Sequence, residues 1–311
     1  MKQARRLAGI DIGTLTCRLL IAEWQPWQPL KEIWSERRML RLGEGVDQAR
    51  RLAPAAIERV IGCLREWRTV IDRHQVGAIA VVATSAVRDA GNREEFLGRV
   101  RCDTGFEVEL ITGEEEARRT LLGIRSGLPP GVDALLAVDI GGGSTEFILD
   151  RPGQASAVRS IDIGVVRLSE RLLRHDPPTQ EEIRQARAWV AEETQGAVRG
   201  MGEFDRATFV GTAGTVTSLA AMAQQLPLYE PARIHNYRLE LATVCDLERL
   251  LLPRTKVERV GLPGLEKSRE EVIAAGTIIL RTIMEILGAD SVLVSDLGLR
   301  EGVLLDLAGR L

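Results

Sequence analysis

Apolar residues along this chain change period many times, and each change marks an element. Residues 7–24, LAGIDIGTLTCRLLIAEW, place Ile- and Leu-rich flanks around a glycine and read as strand, tight turn, strand. The prolines of WQPWQP, 24–29, break that regularity, and its tryptophans read as packing or loop residues. Residues 33–45 read as a strand ending in a glycine loop. Residues 53–74 carry apolar positions at helical spacing, with Pro54 near the start. A buried strand running into a polar turn is predicted over 76–92, a helix stopped by Gly105 over 92–105, a short strand over 106–112 and a helix over 112–128.

Pro129, Pro130 and Gly131 are the clearest linker signal, and after them the pattern restarts. AGIDIGTLT, 8–16, and LAVDIGGGST, 136–145, align on Asp11 and Asp139, each followed by Ile-Gly. The separation is far too long for a solenoid, whose period is ~20–50 residues. It points to a duplicated domain, each copy opening on a hairpin whose turn faces a shared cleft. Further on, 179–198 and 270–289 read as helices. Residues 207–223 read as strand, glycine turn and helix, and 291–309 as strand, turn and helix. Strands alternating with helices place both halves in the α/β class. The expected domains are 1–128 and 129–311, with the helix at about 299–311 a candidate to pack back on the first.

Composition narrows the functional classes. A chain of 311 residues with net charge −3 has no global basic field to recruit nucleic acid or an anionic membrane, so any anion site must be local. Cys17, Cys63, Cys102 and Cys245 are scattered without metal or redox spacing, which points to a reducing compartment. His74, His175 and His235 do not cluster, which argues against zinc. No apolar run approaches the ~20 residues a bilayer requires. A soluble cytoplasmic protein is expected.

The candidate chemistry lies in three glycine-and-threonine turns. Alone, DIGGGSTE (139–146) reads more readily as a glycine hairpin than as an anion-holding loop. In the second reading, successive amides of Gly141, Gly142 and Gly143 converge on an anion, with Ser144 and Thr145 as hydroxyl donors. Asp139 and Glu146 then form a carboxylate pair able to hold Mg²⁺, which is usually bound by one or two carboxylates, water and substrate phosphates. The copy around Asp11 and the third turn, Gly211–Thr215, which opens onto a helix N-terminus, favour a phosphate chain as the common explanation. In TGEEEARR, Thr112 and Glu115 fit a capping box. Glu114 and Glu115 have arginines four residues on, Arg118 and Arg119, whereas Glu116 has only Thr120. Glu116 is therefore the acidic residue least explained by helix stability. Arg88 and Asn92 read as turn and cap residues, Arg300 and Glu301 as a helix-start pair, and His235 as packed or solvated.

These motifs, with RLGEGV, VATSAVRDAGN, SIDIGVVRLSE and SDLGLREGVL in the same order, resemble the exopolyphosphatase/guanosine pentaphosphate phosphohydrolase family. That family lies within the actin, sugar-kinase and heat-shock chaperone superfamily. The resemblance covers essentially the whole chain. It implies two ribonuclease-H-like domains flanking an active-site cleft, Mg²⁺-dependent release of terminal phosphate, and a homodimer. It places the catalytic base on Glu116 and the second essential carboxylate on Glu146, with Asp139 beside the metal. It assigns phosphate binding to Asp11, Gly13, Thr14, Thr16, Arg88, Gly141, Gly142, Gly143, Ser144, Thr145, Gly211, Thr212, Gly214 and Thr215. Leu15 departs from the asparagine that relatives usually carry in the first loop, and the C-terminal helical domain of long members is absent. The expected substrate is inorganic polyphosphate. The alternatives are guanosine pentaphosphate as substrate, or a non-catalytic polyphosphate or alarmone sensor.

Overall fold

The computed structural model describes residues 5–311. The chain forms two compact units, one running up to Ser126 and completed by Gly298–Leu311, the other Gly127–Leu297.

In the first unit, β1 (Arg5–Ile12), β2 (Thr16–Trp24), β3 (Lys31–Met39), β4 (Ala78–Ala83) and β5 (Val108–Leu110) form one sheet in the order β3-β2-β1-β4-β5. β1, β2 and β3 pair antiparallel, whereas β4 lies parallel to β1 and β5 parallel to β4. The central strand β1 is covered on both faces. Ala8, Ile10 and Ile12 join the core formed with helix Pro54–Arg73. That helix starts with proline, whose fixed φ suits a first turn, and it buries Ile57, Val60, Ile61, Leu64, Trp67 and Ile71 at helical spacing. On the other face, Leu7, Leu20 and Ala22 pack against Leu304 and Ala308 of helix Leu299–Gly309. That helix crosses helix Gly113–Arg125 at two glycines. A Cβ on Gly123 would collide with the Gly298 carbonyl, and one on Gly302 with the Arg119 carbonyl.

The second unit repeats this plan. β6 (Leu135–Ile140), β7 (Thr145–Asp150), β8 (Ala157–Ile161), β9 (Thr208–Thr212), β10 (Arg238–Glu240) and β11 (Ser291–Val294) form a sheet in the order β10-β11-β9-β6-β7-β8. Read from β8 to β11, order and strand senses match the first sheet, with β10 added antiparallel at the edge. Both units are therefore α/β, as the alternation of strands and helices led us to expect, and ribonuclease-H-like, as the family resemblance implied. Helix Ile273–Leu287 is buried nearly all round because it packs on helices Gln180–Val198, Leu241–Leu251 and Ala213–Ala223. Glu248, buried between them, accepts hydrogen bonds from Arg187 and Arg281.

Three local readings change. The polar turn predicted after β4 is a short helix, Ser85–Asp89, and it carries Arg88. Asn92 precedes helix Arg93–Thr104 but makes no side-chain cap. Its amide instead accepts from Leu52 N at 2.8 Å and donates to Leu52 O at 3.1 Å. Arg119 does not pair with Glu115. It is buried and reaches Glu109 at 2.6 Å and Asp306 at 3.1 Å, because its face of the helix is the one packed against Leu299–Gly309.

Candidate functional site

The first hairpin turn closes with Gly13 N donating to Thr16 O at 3.0 Å. A Cβ on Gly13 would stand 2.9 Å from that same carbonyl, so the closure needs glycine. Thr14 O accepts from Gly43 N at 2.8 Å, and Leu15 O accepts from Leu40 N at 3.0 Å and Arg41 N at 2.9 Å. In a trans peptide the C=O of one residue and the N–H of the next point in opposite directions. The RLGEGV segment thus holds two carbonyls from behind and aims the amides of Leu15 and Thr16 the other way. The Leu15 side chain is buried, so the departure at this position is absorbed by packing while the amide stays oriented. At the end of β1, buried Asp11 lies opposite Arg18. Next to the turn, burial, then Cys63 and Asp11, push the Cys17 thiol well up from its ordinary range, so it stays a neutral core group.

In the same unit, the first turn of helix Gly113–Arg125 presents three glutamates with three separate roles. Glu115 and Thr112 form a reciprocal capping box, at 2.8 and 3.2 Å, and the Thr112 amide holds the Glu115 carboxyl below its usual range. Glu114 pairs with Arg118 at 3.3 Å in solvent. Glu116 alone is buried, at 9% exposure, and its Oε2 accepts from Arg88 Nη1 at 2.9 Å. Arg88 Nη1 also donates to Ile111 O at 2.9 Å. The residue that helix stability explained least is the one turned inward.

The second unit's hairpin turn closes in the same way, with Gly141 N donating to Ser144 O at 3.0 Å. Here three carbonyls are held from behind by the start of helix Val165–Leu172. Gly141 O accepts from Val165 N at 3.0 Å, Gly142 O from Val166 N at 2.8 Å, and Gly143 O from Arg167 Nε at 2.8 Å. Gly164 allows the approach, since a Cβ there would strike the Gly142–Gly143 peptide. The amides of Gly142, Gly143 and Ser144 therefore point to one side, an arrangement of successive N–H groups suited to an anion. Thr145 is fully enclosed, and its hydroxyl donates to Ile163 O at 2.6 Å. Asp139 and Glu146 are directly opposed across β6 and β7, 8% and 1% exposed, and Glu146 Oε1 accepts from Ser160 Oγ at 2.8 Å. On the repeat, Glu146 takes the place of Arg18. The first turn opposes its aspartate with a base, and the second opposes it with another acid. Like charges directly opposite are unfavourable by themselves. A buried carboxylate pair of this kind fits a divalent cation that completes its shell with water and phosphate oxygens. Among the described residues, no group of three or more His, Cys, Asp or Glu forms a fuller metal cage.

The third turn joins β9 to helix Ala213–Ala223. Ala213 adopts φ 68°, a left-handed conformation that strains a non-glycine residue by of order 1–2 kcal/mol. A Cβ on Gly211 would stand 2.9 Å from Val216 and Val292, and one on Gly214 would collide with the guanidinium of Arg269. Arg269, buried, therefore lies against the first turn of this helix, with its Nε on Glu266 at 3.1 Å. The Thr212 hydroxyl donates to Leu297 O at 3.1 Å, and Thr215 is buried against Gly276. His235 is a packed residue. Its Nδ1 accepts from Asp296 N at 3.2 Å, which leaves Nε2 to donate to Gly127 O at 2.8 Å.

Sequence reasoning missed Arg18, Arg167 and Arg269 at the three turns. SIDIGVVRLSE carried Arg167 in plain view, but nothing in its spacing shows that it reaches back to Gly143.

Known proteins are similar to this chain over nearly its whole length. The Ppx/GppA phosphatase family matches residues 20–311. The chain belongs to that family. It is accordingly a hydrolase. Exopolyphosphatase 2 of Mycobacterium tuberculosis is 37% identical over 317 residues, covering 98% of this chain and 99% of its own. The crystal structure of the Aquifex aeolicus Ppx/GppA family member is 35% identical with TM-score 0.84, covering 99% of both chains. An exopolyphosphatase from Cytophaga hutchinsonii is 26% identical with TM-score 0.89, again over 99% of both. No described helix is long and apolar enough to cross a membrane.

Proposed function

We propose that this member is an exopolyphosphatase that releases terminal orthophosphate from inorganic polyphosphate with Mg²⁺. The observation that carries the reading is the second turn: three amides aimed one way beside the opposed, buried Asp139 and Glu146. That combination suits a phosphoryl group with a cation on its oxygens, and it suits little else.

The amides of Gly142, Gly143 and Ser144 bind phosphate oxygens, and the Leu15 and Thr16 amides and the start of helix Ala213–Ala223 offer equivalent donors. Asp139 and Glu146 would hold Mg²⁺, which would supply positive charge to offset that of the phosphate. Glu116 accepts a proton from the attacking water, whose oxygen forms the new P–O bond as the P–O bond to the shortened chain breaks. Arg88 turns from Glu116 to a substrate oxygen, which frees the carboxylate for that proton. Phosphoryl transfer needs positioning and electrostatics more than covalent chemistry, and a chain of carboxylates, amides and arginines supplies both.

The test is phosphate release by purified protein with Mg²⁺ from tripolyphosphate, long-chain polyphosphate, guanosine pentaphosphate and ATP. Preferential release from either polyphosphate supports the reading. Preference for guanosine pentaphosphate would replace it with the nucleotide phosphohydrolase, and no release from any substrate would replace it with a sensor.

A further inference from the structure

We propose that Arg167 is a positioning residue that aims the Ser144 amide at phosphate by holding the Gly143 carbonyl from behind. The inference rests on the polyphosphate reading above and adds a residue to it.

Three peptide planes build the second turn, and the donors behind them differ in kind. Main-chain amides of Val165 and Val166 hold the first two carbonyls, but the third is held by a side chain, Arg167 Nε, at 2.8 Å. In the first turn the corresponding carbonyl, Leu15 O, is held by the main-chain amides of Leu40 and Arg41. Leu15 is moreover a side-chain-bearing residue packed in place, whereas Gly142 and Gly143 give the second turn free rotation about the same bonds. The Gly143–Ser144 plane thus entrusts an amide's direction to a distant side chain where the first turn uses main-chain donors. If that plane turned over, an acceptor oxygen would face the phosphate in place of the Ser144 N–H.

Burial points the same way. The Arg167 side chain is 5% exposed, while Asp162, its carboxylate neighbour at 3.7 Å, is 80% exposed. An ion pair with a solvated aspartate gives little return for burying a guanidinium. The directed bond to the turn helps offset that burial, because an N–H from a charged group to a carbonyl is among the stronger hydrogen bonds.

The experiment compares wild type with Arg167→Lys and Arg167→Met. Lysine keeps the charge and most of the stem but has no N–H at the ε position. The expected result is KM for tripolyphosphate raised about ten-fold in both variants, the size of one charge-assisted hydrogen bond, with kcat changed much less. A loss confined to thermal stability, with KM and kcat as in wild type, overturns the proposal. Wild type supplies a reading that needs no variant. In ¹H–¹⁵N spectra titrated with tripolyphosphate and Mg²⁺, the Ser144 amide should shift with the binding curve, and in Arg167→Lys that response should be lost. Tripolyphosphate binding by wild type without a Ser144 response overturns the role of Arg167 alone. Wild type that neither binds tripolyphosphate nor releases phosphate from it overturns the functional reading and this inference together.

Discussion

Arg88 Nη1 stands 2.9 Å from Glu116 Oε2 and, from the same nitrogen, 2.9 Å from Ile111 O. One guanidinium thus ties the helix Ser85–Asp89 to the first turn of Gly113–Arg125 and fixes the carboxylate proposed as base. Glu116→Gln keeps an acceptor for Arg88 but removes the base. We predict that kcat falls at least ~10²-fold, the lower end of general-base assistance, while the melting temperature changes little. Steady-state phosphate release and thermal unfolding check this, and near-normal turnover would remove Glu116 from the mechanism.

The opposed carboxylates of β6 and β7 give a prediction with two signs. Glu146→Gln retains an acceptor for Ser160 Oγ and removes one of two like charges. Stability in EDTA should rise by roughly 0.2–1 kcal/mol, the scale of a cross-strand charge effect. The Mg²⁺ concentration for half-maximal activity should rise as well. Urea unfolding in EDTA and a Mg²⁺ titration read the two separately, and a destabilised variant would show that the pair does not repel.

Glycine at the crossing of Gly113–Arg125 and Leu299–Gly309 is required by contact. Gly302→Ala would drive a methyl into the Arg119 carbonyl, so a loss of about 1–3 kcal/mol or more is expected. Gly62→Ala, within helix Pro54–Arg73 and with nothing within 4 Å of the new methyl, should instead stabilise by about 0.4–1 kcal/mol. Chemical denaturation of the two variants should move the midpoint in opposite directions.

Glu182 provides the pH prediction. Burial raises its carboxyl, but bonds from His175, Thr179 and Arg174 outweigh this and lower it to about 2. A depressed folded value contributes stability above the ordinary carboxylate range, and that contribution is lost as pH falls toward 2. Glu182→Gln should therefore lower the melting temperature at neutral pH, with the difference from wild type shrinking below about pH 4.5, the unfolded reference, and vanishing near pH 2. A difference independent of pH would assign the effect to shape instead of charge.

The duplicated Asp-Ile-Gly made the two sheets legible, because a glycine turn between apolar runs is a local event. Glu116 was legible for a related reason: its neighbours' partners lie within one helical turn, at Thr112 and Arg118, and its own does not. Arg119 was misread by that same rule, since its partners Glu109 and Asp306 come from β5 and from a helix far along the chain. Arg167 and Arg269 escaped notice because a side chain reaching a backbone carbonyl or a helix start leaves no spacing to count. β8 and β10 were missed because short, half-buried strands carry little periodicity, whereas helix Leu241–Leu251 was overlooked although its buried Val244, Leu247 and Leu251 fall at helical spacing.

The placement of Gly298–Leu311 in the first unit bears on biosynthesis. Leu7, Leu20 and Ala22 keep an uncovered apolar face until Leu304 and Ala308 arrive, and the whole of Gly127–Leu297 is translated in between. At about 5–20 residues per second, that interval lasts roughly 10–30 s. The unit that begins synthesis first is thus the last to be sealed, and ribosome-bound chains stalled before Gly298 should be cleaved by protease within the first unit while released chains resist. Chaperone binding during that interval would fall on the face later closed by Leu299–Gly309.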